Sequence, residues 1–343
     1  MCDVVSPDHV AKIGVPVYDP GLIPEEFGYF KDCPLSLAEH GYVIGATPFT
    51  LWGRRLQDVL FDTVIIDEAS QVTPALAVMA MLKARRYVFV GDHHQLPPII
   101  AHLAAHEDPP QEAPSIFTRL RDHASSTLLT TCYRMNAELC HWSSHTFYAQ
   151  RLHSGSDSSE RTLTWPNTEA HRSSAWSNSA SSIVIRLDHD KRRTDSREEA
   201  EIVVALLDEW IAGGHPPHEI GIVVPYRRQA NRIRRILSRR DRDHSISTRK
   251  VVIDTVDRFQ GSEREAMILS FTASDPRFIT EQAPFLFQPQ RLNVAVTRAR
   301  SKRLLLVSHS LIETAESLAG QDNEAAALFL SYLDDATFVP WPG

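Results

Sequence analysis

The chain has 343 residues, of which 43% are hydrophobic and 23% charged, and its 36 basic and 43 acidic side chains give a net charge of −7. This length allows two domains of ordinary size, each with its own core, and the composition is typical of a soluble globular protein. The acidic balance excludes a polycation that binds nucleic acid over its whole surface. Any nucleic-acid site must therefore be local.

Four cysteines, Cys2, Cys33, Cys132 and Cys140, lie far apart without a Cys-x-x-Cys pair. This pattern predicts neither a zinc site nor a disulfide framework, and it favours a reducing, cytoplasmic location. The first residues carry no basic and apolar leader, and no uncharged apolar run is long enough to cross a bilayer. We therefore expect no association with a membrane.

The opening part of the chain is rich in proline and glycine. Residues 1–40 predict an irregular entry segment. Residues 41–51 predict a short strand that stops at Thr47 and Pro48, because proline disfavours continuation of the strand. Thr47 then stands at a strand end, and a structural loop is the alternative interpretation.

Two carboxylates follow a short apolar run in residues 61–71. Val64, Ile65 and Ile66 predict a strand buried on both faces of a parallel sheet, and Asp67 and Glu68 come directly after it. Ligands of open α/β sheets bind at this carboxyl end, where Asp67 would suit Mg²⁺ and Glu68 would suit water activation. The alternative is a strand that runs into a helix whose N-terminus takes both acids for capping.

The next unit repeats the arrangement. Residues 74–84 predict an apolar helix, and residues 86–90 predict a second strand that ends in a loop, 91–98, with a glycine and a double proline. This strand, helix and strand imply a right-handed parallel crossover. The loop would hold Gln95 as a sensor of a bound phosphate, unless it is a β-turn without chemical role. Residues 101–115 then predict a hinge.

In the second half, strands and helices alternate after an irregular insertion. A strand at 127–131 leads into Tyr133 and Arg134, and residues 154–182 are serine-rich and predict a mobile surface loop. Trp165 and Trp176 in that loop could stack on bases, although a partly disordered insertion is the alternative. Further strands are predicted at 183–187, 220–224, 250–253, 266–271 and 302–307, and helices at 198–213, 290–300 and 324–333. Another helix is predicted to carry Arg232, Arg234, Arg235, Arg239 and Arg240.

Read together, these stretches resemble, in order, the motif series of superfamily 1 helicases of subgroup 1B, which contains the RNA-surveillance helicase and the replication nuclease-helicase. Residues 46–47 resemble motif Ic, 67–71 motif II, 91–98 motif III, 133–135 motif IV, 255–263 motif V and 291–300 motif VI. The resemblance implies an α/β fold of two RecA-like P-loop NTPase domains, the first partial (1–115) and the second whole (116–343). ATP would bind between them, and single-stranded DNA or RNA would cross their tops.

The same resemblance implies roles for five catalytic side chains. Asp67 would coordinate Mg²⁺, Glu68 would polarise the attacking water, and Gln95 would sense the γ-phosphate. Arg134 and Arg298 would act as arginine fingers, a role worth on the order of 10³ to 10⁵ in rate.

Two further groups of residues are implied to contact nucleotide and nucleic acid. Tyr133 would stack on the adenine and Glu263 would bind the ribose, with Gln260 and Gly261 beside it in motif V. The strand phosphates would be contacted by four residues, Thr47, Pro48, Thr255 and Arg227. Arg227 precedes an arginine-rich helix, for which a solvated surface is the alternative.

One element of the family pattern is missing. No Gly-x-x-x-x-Gly-Lys-Ser/Thr string, whose amides and lysine cradle the β- and γ-phosphates, occurs in the sequence. We therefore expect a fragment of a helicase or translocase that lacks the Walker A segment and is inactive alone. A truncated chain and a split gene, in which a separate N-terminal polypeptide carries that segment, are both open. The alternative is a non-catalytic nucleic-acid-binding or scaffold protein derived from a helicase.

Overall fold

The computed structural model describes residues 41–98, 114–243 and 250–341. The predicted entry segment, 1–40, and most of the predicted hinge lie outside these residues. The chain divides into two compact units. The first comprises Met1–His93 and Pro97–Ser125, and the second comprises His94–Leu96 and Ser126–Gly343. The division after Ser125 lies beyond the boundary predicted at residue 115.

The first unit is built on two parallel strands. Its elements are α1 (Pro48–Leu51), β1 (Phe61–Ile66), α2 (Pro74–Met81), β2 (Ala84–Phe89) and α3 (Ile116–Leu120). The strands pair in parallel, with Ile65 opposite Val88, so α2 forms the predicted crossover connection between them. A small core fills the space between strands and helices, and it consists of Leu51, Leu56, Ile66, Ala69, Ala77, Ala80 and Ile116.

The predicted strand over residues 41–51 is wrong. Residues 41–47 have no regular structure, and α1 begins at Pro48. Thr47 caps this helix, because its Oγ1 accepts a hydrogen bond from the Thr50 amide at 3.3 Å, and Pro48 occupies the first turn, where its missing N–H costs nothing. The Thr-Pro pair therefore starts a helix here.

One face of the β1–β2 ribbon exposes an apolar pair near the carboxyl end of the strands. The Ile65 side chain is 66% exposed and its partner Val88 is 46% exposed. The prediction that the β1 run is buried on both faces is therefore wrong for Ile65. Exposed apolar strands of this kind favour association with other chains.

We expect the purified chain to self-associate through this ribbon, and Ile65→Lys to weaken the association by about tenfold or more, since burying an isoleucine is worth about 1.5–3 kcal/mol. Sedimentation velocity over a concentration series measures this dissociation constant. Leu129→Lys is the matched control, because Leu129 is 77% exposed and belongs to the second unit. Equal behaviour of the two variants would place the association elsewhere.

The second unit is organised around a wholly parallel sheet. Its strands are β5 (Ser182–Leu187), β6 (Ile220–Val224), β7 (Val252–Thr255), β8 (Arg264–Ser270), β9 (Ala299–Ser308) and β10 (Thr337–Val339), in the spatial order β10-β5-β9-β8-β6-β7. Two short strands, β3 (Thr131–Cys132) and β4 (His153–Ser154), pair separately. This α/β architecture with parallel strands is the predicted fold class.

Helices cover both faces of the sheet. They are α4 (Ala137–Phe147), α5 (Ser156–Ser159), α6 (Ser174–Ser177), α7 (Arg197–Ala212), α8 (Arg227–Asp243), α9 (Val256–Phe259), α10 (Pro276–Glu281), α11 (Ala283–Leu286), α12 (Pro289–Val296), α13 (His309–Ala319) and α14 (Glu324–Asp334). Side chains of β9 alternate between two cores: Leu305 and Val307 pack with α4, α12 and α14, whereas Leu304 and Leu306 pack with α7 and α8. Such alternation is expected for a strand buried on both faces.

The serine-rich segment is folded, so the prediction of a mobile loop is wrong. It contains β4, α5 and α6, and its Trp165 and Trp176 are 9% and 4% exposed. Both rings pack against Trp210 of α7, and Trp176 Nε1 donates to the Leu206 carbonyl at 3.1 Å. The tryptophans therefore anchor the segment to the core and are not available to stack on bases.

The end of the predicted helix 290–300 also differs. Helix α12 ends at Val296, and β9 begins at Ala299, which pairs with Arg264 of β8. The Thr297 hydroxyl donates to the Asn293 carbonyl at 2.7 Å and closes the last turn. Within the described parts of the chain, no helix is both long and apolar enough to cross a membrane.

Candidate functional site

Asp67 and Glu68 lie on the first unit directly after β1, and both are exposed. Asp67 Oδ1 accepts a hydrogen bond from the Glu68 amide at 2.9 Å, and Glu68 Oε2 accepts one from Gln71 Nε2 at 3.2 Å. Glu68 has a φ of 49°, an unfavourable backbone conformation for a residue with a side chain, and such conformations concentrate at functional sites. Its side chain does not cap the 3-10 turn that follows, so the capping interpretation is not what the structure shows.

A second loop approaches the backbone of this carboxylate turn. Val90 donates to the Ile66 carbonyl at 2.9 Å, and the Ala69 amide donates to the Val90 carbonyl at 2.8 Å. A Cβ at Gly91 would lie 2.9 Å from the Ser70 amide nitrogen, so this contact requires glycine. The loops after β1 and β2 are therefore joined at the carboxyl end of the ribbon, as the sequence predicts.

Gln95, the predicted phosphate sensor, follows in a segment that packs with the second unit. It is half-buried, and its neighbour Leu96 is 4% exposed in the core of that unit. Asn293 Nδ2 donates to the His94 carbonyl and to the Tyr148 hydroxyl, both at 3.0 Å. The backbone beside Gln95 is thus fixed by a buried amide of α12.

In the second unit, motif residues that are far apart in sequence come together around Arg134. Arg134 Nε donates to Glu263 Oε2 at 2.6 Å, and Arg134 Nη1 donates to the Thr297 carbonyl at 3.2 Å. Arg300 Nη1 lies 3.9 Å from Glu263 Oε1. Burial opposes ionisation of Glu263, but the hydrogen bond and charge of Arg134, with the charge of Arg300, hold its pKa below the ordinary value.

Arg298, the other predicted arginine finger, is 2% exposed. Its Nε donates to the Val294 carbonyl at 2.9 Å and its Nη2 to the Thr297 hydroxyl at 3.1 Å. Its guanidinium is therefore held against the end of α12. Arg134 and Arg298 both contact Thr297, so the two arginines meet at one residue.

The remaining predicted nucleotide residues surround this cluster to different degrees. Tyr133 is 70% exposed and its ring packs on Gly155, where a Cβ would lie 2.8 Å from it. Gly261 is exposed with a φ of 78°, which only glycine adopts readily, and Gln260 Nε2 is buried without a hydrogen-bond partner. The flat exposed tyrosine face is compatible with stacking on a base.

The predicted nucleic-acid residues occupy element ends. Thr255 ends β7 and is 8% exposed, and Arg227 begins α8 and is exposed. In the first unit Thr47 is exposed at the start of α1, and Pro48 is half-buried beside it. Three of these four positions are thus accessible to a ligand, whereas Thr255 is buried and its amide donates to Asp254 Oδ1 at 2.9 Å.

The sequence did not single out two residues that organise the site. Arg300 Nε lies 3.2 Å from Glu265 Oε2, so this arginine joins Glu263 and Glu265 at the start of β8. Arg291 forms a two-pronged pair with Asp257, at 2.9 and 3.2 Å, which ties α12 to α9. Glu263 and Glu265, spaced by two, were the available signal for the first, because alternate residues of a strand share a face.

The donor set fits part of the implied cofactor. Asp67 supplies one exposed carboxylate, and a single carboxylate with substrate phosphates is a common way to hold Mg²⁺. Among the residues that the structure describes, no group of three His, Cys, Asp or Glu side chains forms a metal cage. The phosphate cradle of a Walker A loop has no counterpart in the sequence, so the residues present do not fit the triphosphate of ATP.

Comparison with known proteins places this chain in a family. Two family models, each described as an AAA domain, match residues 113–310 and 36–102. The DNA replication ATP-dependent helicase/nuclease DNA2 of Mus musculus is 32% identical over 277 residues, covering 74% of this chain and 25% of that protein. Helicase sen1 of Schizosaccharomyces pombe is 31% identical over 269 residues, covering 74% and 15%. DNA-binding protein SMUBP-2 of Mesocricetus auratus is 27% identical over 288 residues, covering 80% and 28%.

A parallel α/β sheet and the ordered motif residues are features of nucleotide-binding P-loop NTPases. The chain belongs to the superfamily 1 helicase family. It spans about a quarter or less of the length of the replication helicase/nucleases that it matches.

Proposed function

We propose that this chain is the motor portion of an ATP-dependent nucleic-acid helicase or translocase, and that these 343 residues alone hydrolyse ATP negligibly. The observation that carries the proposal is the cluster around Arg134. Residues from three helicase-like motifs meet there at hydrogen-bonding distance: the Arg134 side chain bonds the Glu263 carboxylate, 129 residues away in sequence, and the Thr297 backbone carbonyl, 163 residues away. Packing alone does not require Arg134, Arg300 and the partly exposed Glu263 to meet at one place.

Within this proposal, each predicted residue has a task. Asp67 would hold Mg²⁺, Glu68 would orient water, Gln95 would sense a terminal phosphate, and Arg134 and Arg298 would stabilise charge on it. Since no phosphate cradle is present in this sequence, no hydrolytic step is derived for the chain alone. The cradle would have to be supplied by a further segment or a separate polypeptide with Gly-x-x-x-x-Gly-Lys-Ser/Thr.

The nucleotide and nucleic-acid contacts are assigned by the helicase motifs. Tyr133 would stack on adenine and Glu263 would bind ribose, with Gln260 and Gly261 in the same motif. Thr47, Pro48, Thr255 and Arg227 contact the phosphates of single-stranded DNA or RNA. Such contacts position the strand without reading its sequence. Similarity to helicases that act in DNA replication supports the nucleic-acid substrate.

We expect purified 1–343 to show no ATP turnover above background, with or without a single-stranded oligonucleotide. The reason is that catalysis of phosphoryl transfer consists almost entirely of positioning and charge stabilisation, and the groups that position the β- and γ-phosphates are missing. Release of inorganic phosphate measures this. Strand-stimulated turnover that disappears in Glu68→Gln would contradict the expectation.

Strand binding separates the proposal from a non-catalytic scaffold. For a motor, we expect Arg298→Ala to alter the coupling between nucleotide and strand binding when a Walker A polypeptide is added. For a scaffold, short single strands would bind equally with and without nucleotide, and Arg298→Ala would leave that binding unchanged. Fluorescence anisotropy with a labelled oligonucleotide, at one fixed salt concentration, distinguishes these results.

A further inference from the structure

The outward face of α8 carries a concentration of positive charge. Between residues 227 and 240 this helix has seven arginines and no acidic residue, although the whole chain has a net charge of −7. Its opposite side packs into the core of the second unit through Ala230, Ile233 and Leu237. At 3.6 residues per turn, an outward arc of about 160° then contains six arginines, Arg227, Arg228, Arg232, Arg234, Arg235 and Arg239.

Acidic side chains of neighbouring elements neutralise only part of this charge. Three of the six arginines are paired, Arg228 and Arg232 with Asp195, and Arg234 with Asp254. The other three, Arg227, Arg235 and Arg239, are exposed and form no ion pair with the residues that the structure describes. The outward face of α8 therefore keeps a local excess of positive charge.

The spacing of these arginines opposes formation of the helix. Arg228 and Arg232 are four residues apart, and so are Arg235 and Arg239, whereas Arg232 and Arg235 are three apart. Side chains at these spacings are neighbours on a helix surface, and like charges there are destabilising. A solvated helix usually alternates acidic and basic residues along such a face. The pattern on α8 therefore indicates a partner that supplies the missing negative charge.

The dimensions and composition of this face favour duplex DNA as the partner. Arg228 and Arg239 are about 17 Å apart along the helix axis, a distance over which one DNA strand presents about five phosphates. Surfaces that bind single strands combine basic side chains with aromatic rings for stacking, and the outward arc has no aromatic residue. An α-helix fits the major groove of B-form DNA, about 12 Å wide, but not the deep and narrow groove of duplex RNA.

We propose that the outward arginines of α8 bind the phosphate backbones of double-stranded DNA. Helix α8 follows β6, so Arg227 lies at the carboxyl edge of the sheet, and Arg239 lies about 18 Å farther along the helix axis. A duplex on α8 therefore extends away from the single-strand contact assigned to Arg227. This continuity with a single strand rests on the proposed function, whereas the binding of duplex DNA by α8 does not.

The test measures binding of a labelled DNA duplex to the purified full chain by fluorescence anisotropy over a series of salt concentrations. The double substitution Arg235→Gln, Arg239→Gln is expected to weaken duplex binding by about tenfold. It should also reduce the magnitude of the slope of log K against log salt concentration by about 2, because each lost phosphate contact removes about 0.9 from that slope. Binding of a single strand of the same length should be unchanged, since neither arginine is assigned to the single strand.

The double substitution Arg151→Gln, Arg277→Gln is the matched control. Both arginines are exposed on the second unit, neither pairs with an acid in the described structure, and their loss changes the net charge equally. Duplex binding by this control should equal that of the unsubstituted chain. Urea unfolding gives a second measurement: loss of Arg235 and Arg239 removes repulsion between like charges and should leave the midpoint unchanged or raise it, whereas a purely structural role would lower it.

The proposal is overturned if the unsubstituted chain does not bind duplex DNA, or if the α8 variant and the control bind it equally. Equal affinity for duplex RNA would overturn the choice of DNA, and equally strong competition by polyglutamate would make α8 a surface for acidic polymers in general. If no protein bound the single strand but the α8 substitutions still weakened duplex binding, the proposed function would be contradicted and this inference would be supported.

Discussion

Replacement of Glu199 by alanine is expected to lower the free energy of unfolding by about 3–5 kcal/mol, the range seen when one partner of a buried charged network is removed. Glu199 is fully buried in the first turn of α7. Its Oε1 lies 2.9 Å from His189 Nε2, and both carboxylate oxygens accept from the Thr272 amide, at 3.0 and 2.9 Å. Ser270 also donates to it.

The network matters because it joins several chain segments at the carboxyl edge of the sheet. His189 follows β5, Ser270 ends β8, and Gln229 of α8 donates to the Ser270 hydroxyl at 3.2 Å. Thr272 has a φ of 72°, so its amide is held toward Glu199 at a conformational cost. Without the carboxylate, the buried amide, imidazole and hydroxyl groups would lose their common acceptor.

Urea unfolding followed by tryptophan fluorescence measures the loss. Glu201→Ala is the matched control, since Glu201 lies on the same helix, is half-exposed and pairs only with Arg197 in the described structure. Surface pairs of this kind contribute at most about 1 kcal/mol. Glu199→Gln should fall between the two, because an amide retains one acceptor oxygen. Similar midpoints for the two alanine variants would mean that the network does not stabilise the unit.

Gly213→Ala is expected to destabilise the second unit by about 1–3 kcal/mol, as overpacking of a filled core does. Gly213 caps the C-terminus of α7 with a φ of −68°, so its backbone conformation suits any residue. A Cβ there would lie only 2.4–2.6 Å from three atoms of the Trp165 indole. The substitution therefore pushes Trp165 away from Trp210 and loosens the serine-rich segment.

Gly320→Ala is a close control for this effect. Gly320 caps α13 with a φ of −65°, and a Cβ there meets its nearest atoms at 3.5 and 3.6 Å. Alanine at such a position is neutral or stabilises by about 0.4–1 kcal/mol. Urea unfolding and the rate of tryptic cleavage within residues 154–182 measure both variants. Unchanged protease resistance in Gly213→Ala would contradict the packing argument.

Local patterning was sufficient to predict five of the six strands of the large sheet, whereas the edge strand β10 was not predicted. The prediction for 220–224 matches β6, and the predictions for 183–187 and 324–333 match β5 and α14 to within one residue. These elements are buried on both faces or strongly amphipathic, so the order of apolar and polar residues in each of them predicts its secondary structure and its burial. The motif order added the helicase family, which the matches to known proteins confirm.

The failures of prediction have a common cause in long-range packing. Trp165 and Trp176 lie in a serine-rich stretch, and their burial depends on Trp210, which belongs to a helix after β5. The prediction of a strand at 41–51 was wrong because the Thr47 side chain accepts a hydrogen bond from the Thr50 amide and caps a helix. Likewise, Arg134 pairs with Glu263, 129 positions away in sequence. The hydrophobic periodicity of single helices and strands does not predict such a pair.

The hydrogen bond from Asn293 to the His94 carbonyl limits where the chain can be cut into fragments. Residues 94–96 belong to the second unit, although the residues before and after them in the sequence belong to the first. The units are consequently not consecutive modules of the chain. A fragment cut to begin at Ser126 would forfeit Leu96 from its interior and leave the Asn293 amide without one of its two acceptors. The residue ranges of the two units are therefore interleaved along the sequence, and the second unit includes three residues that a cut at Ser126 would remove.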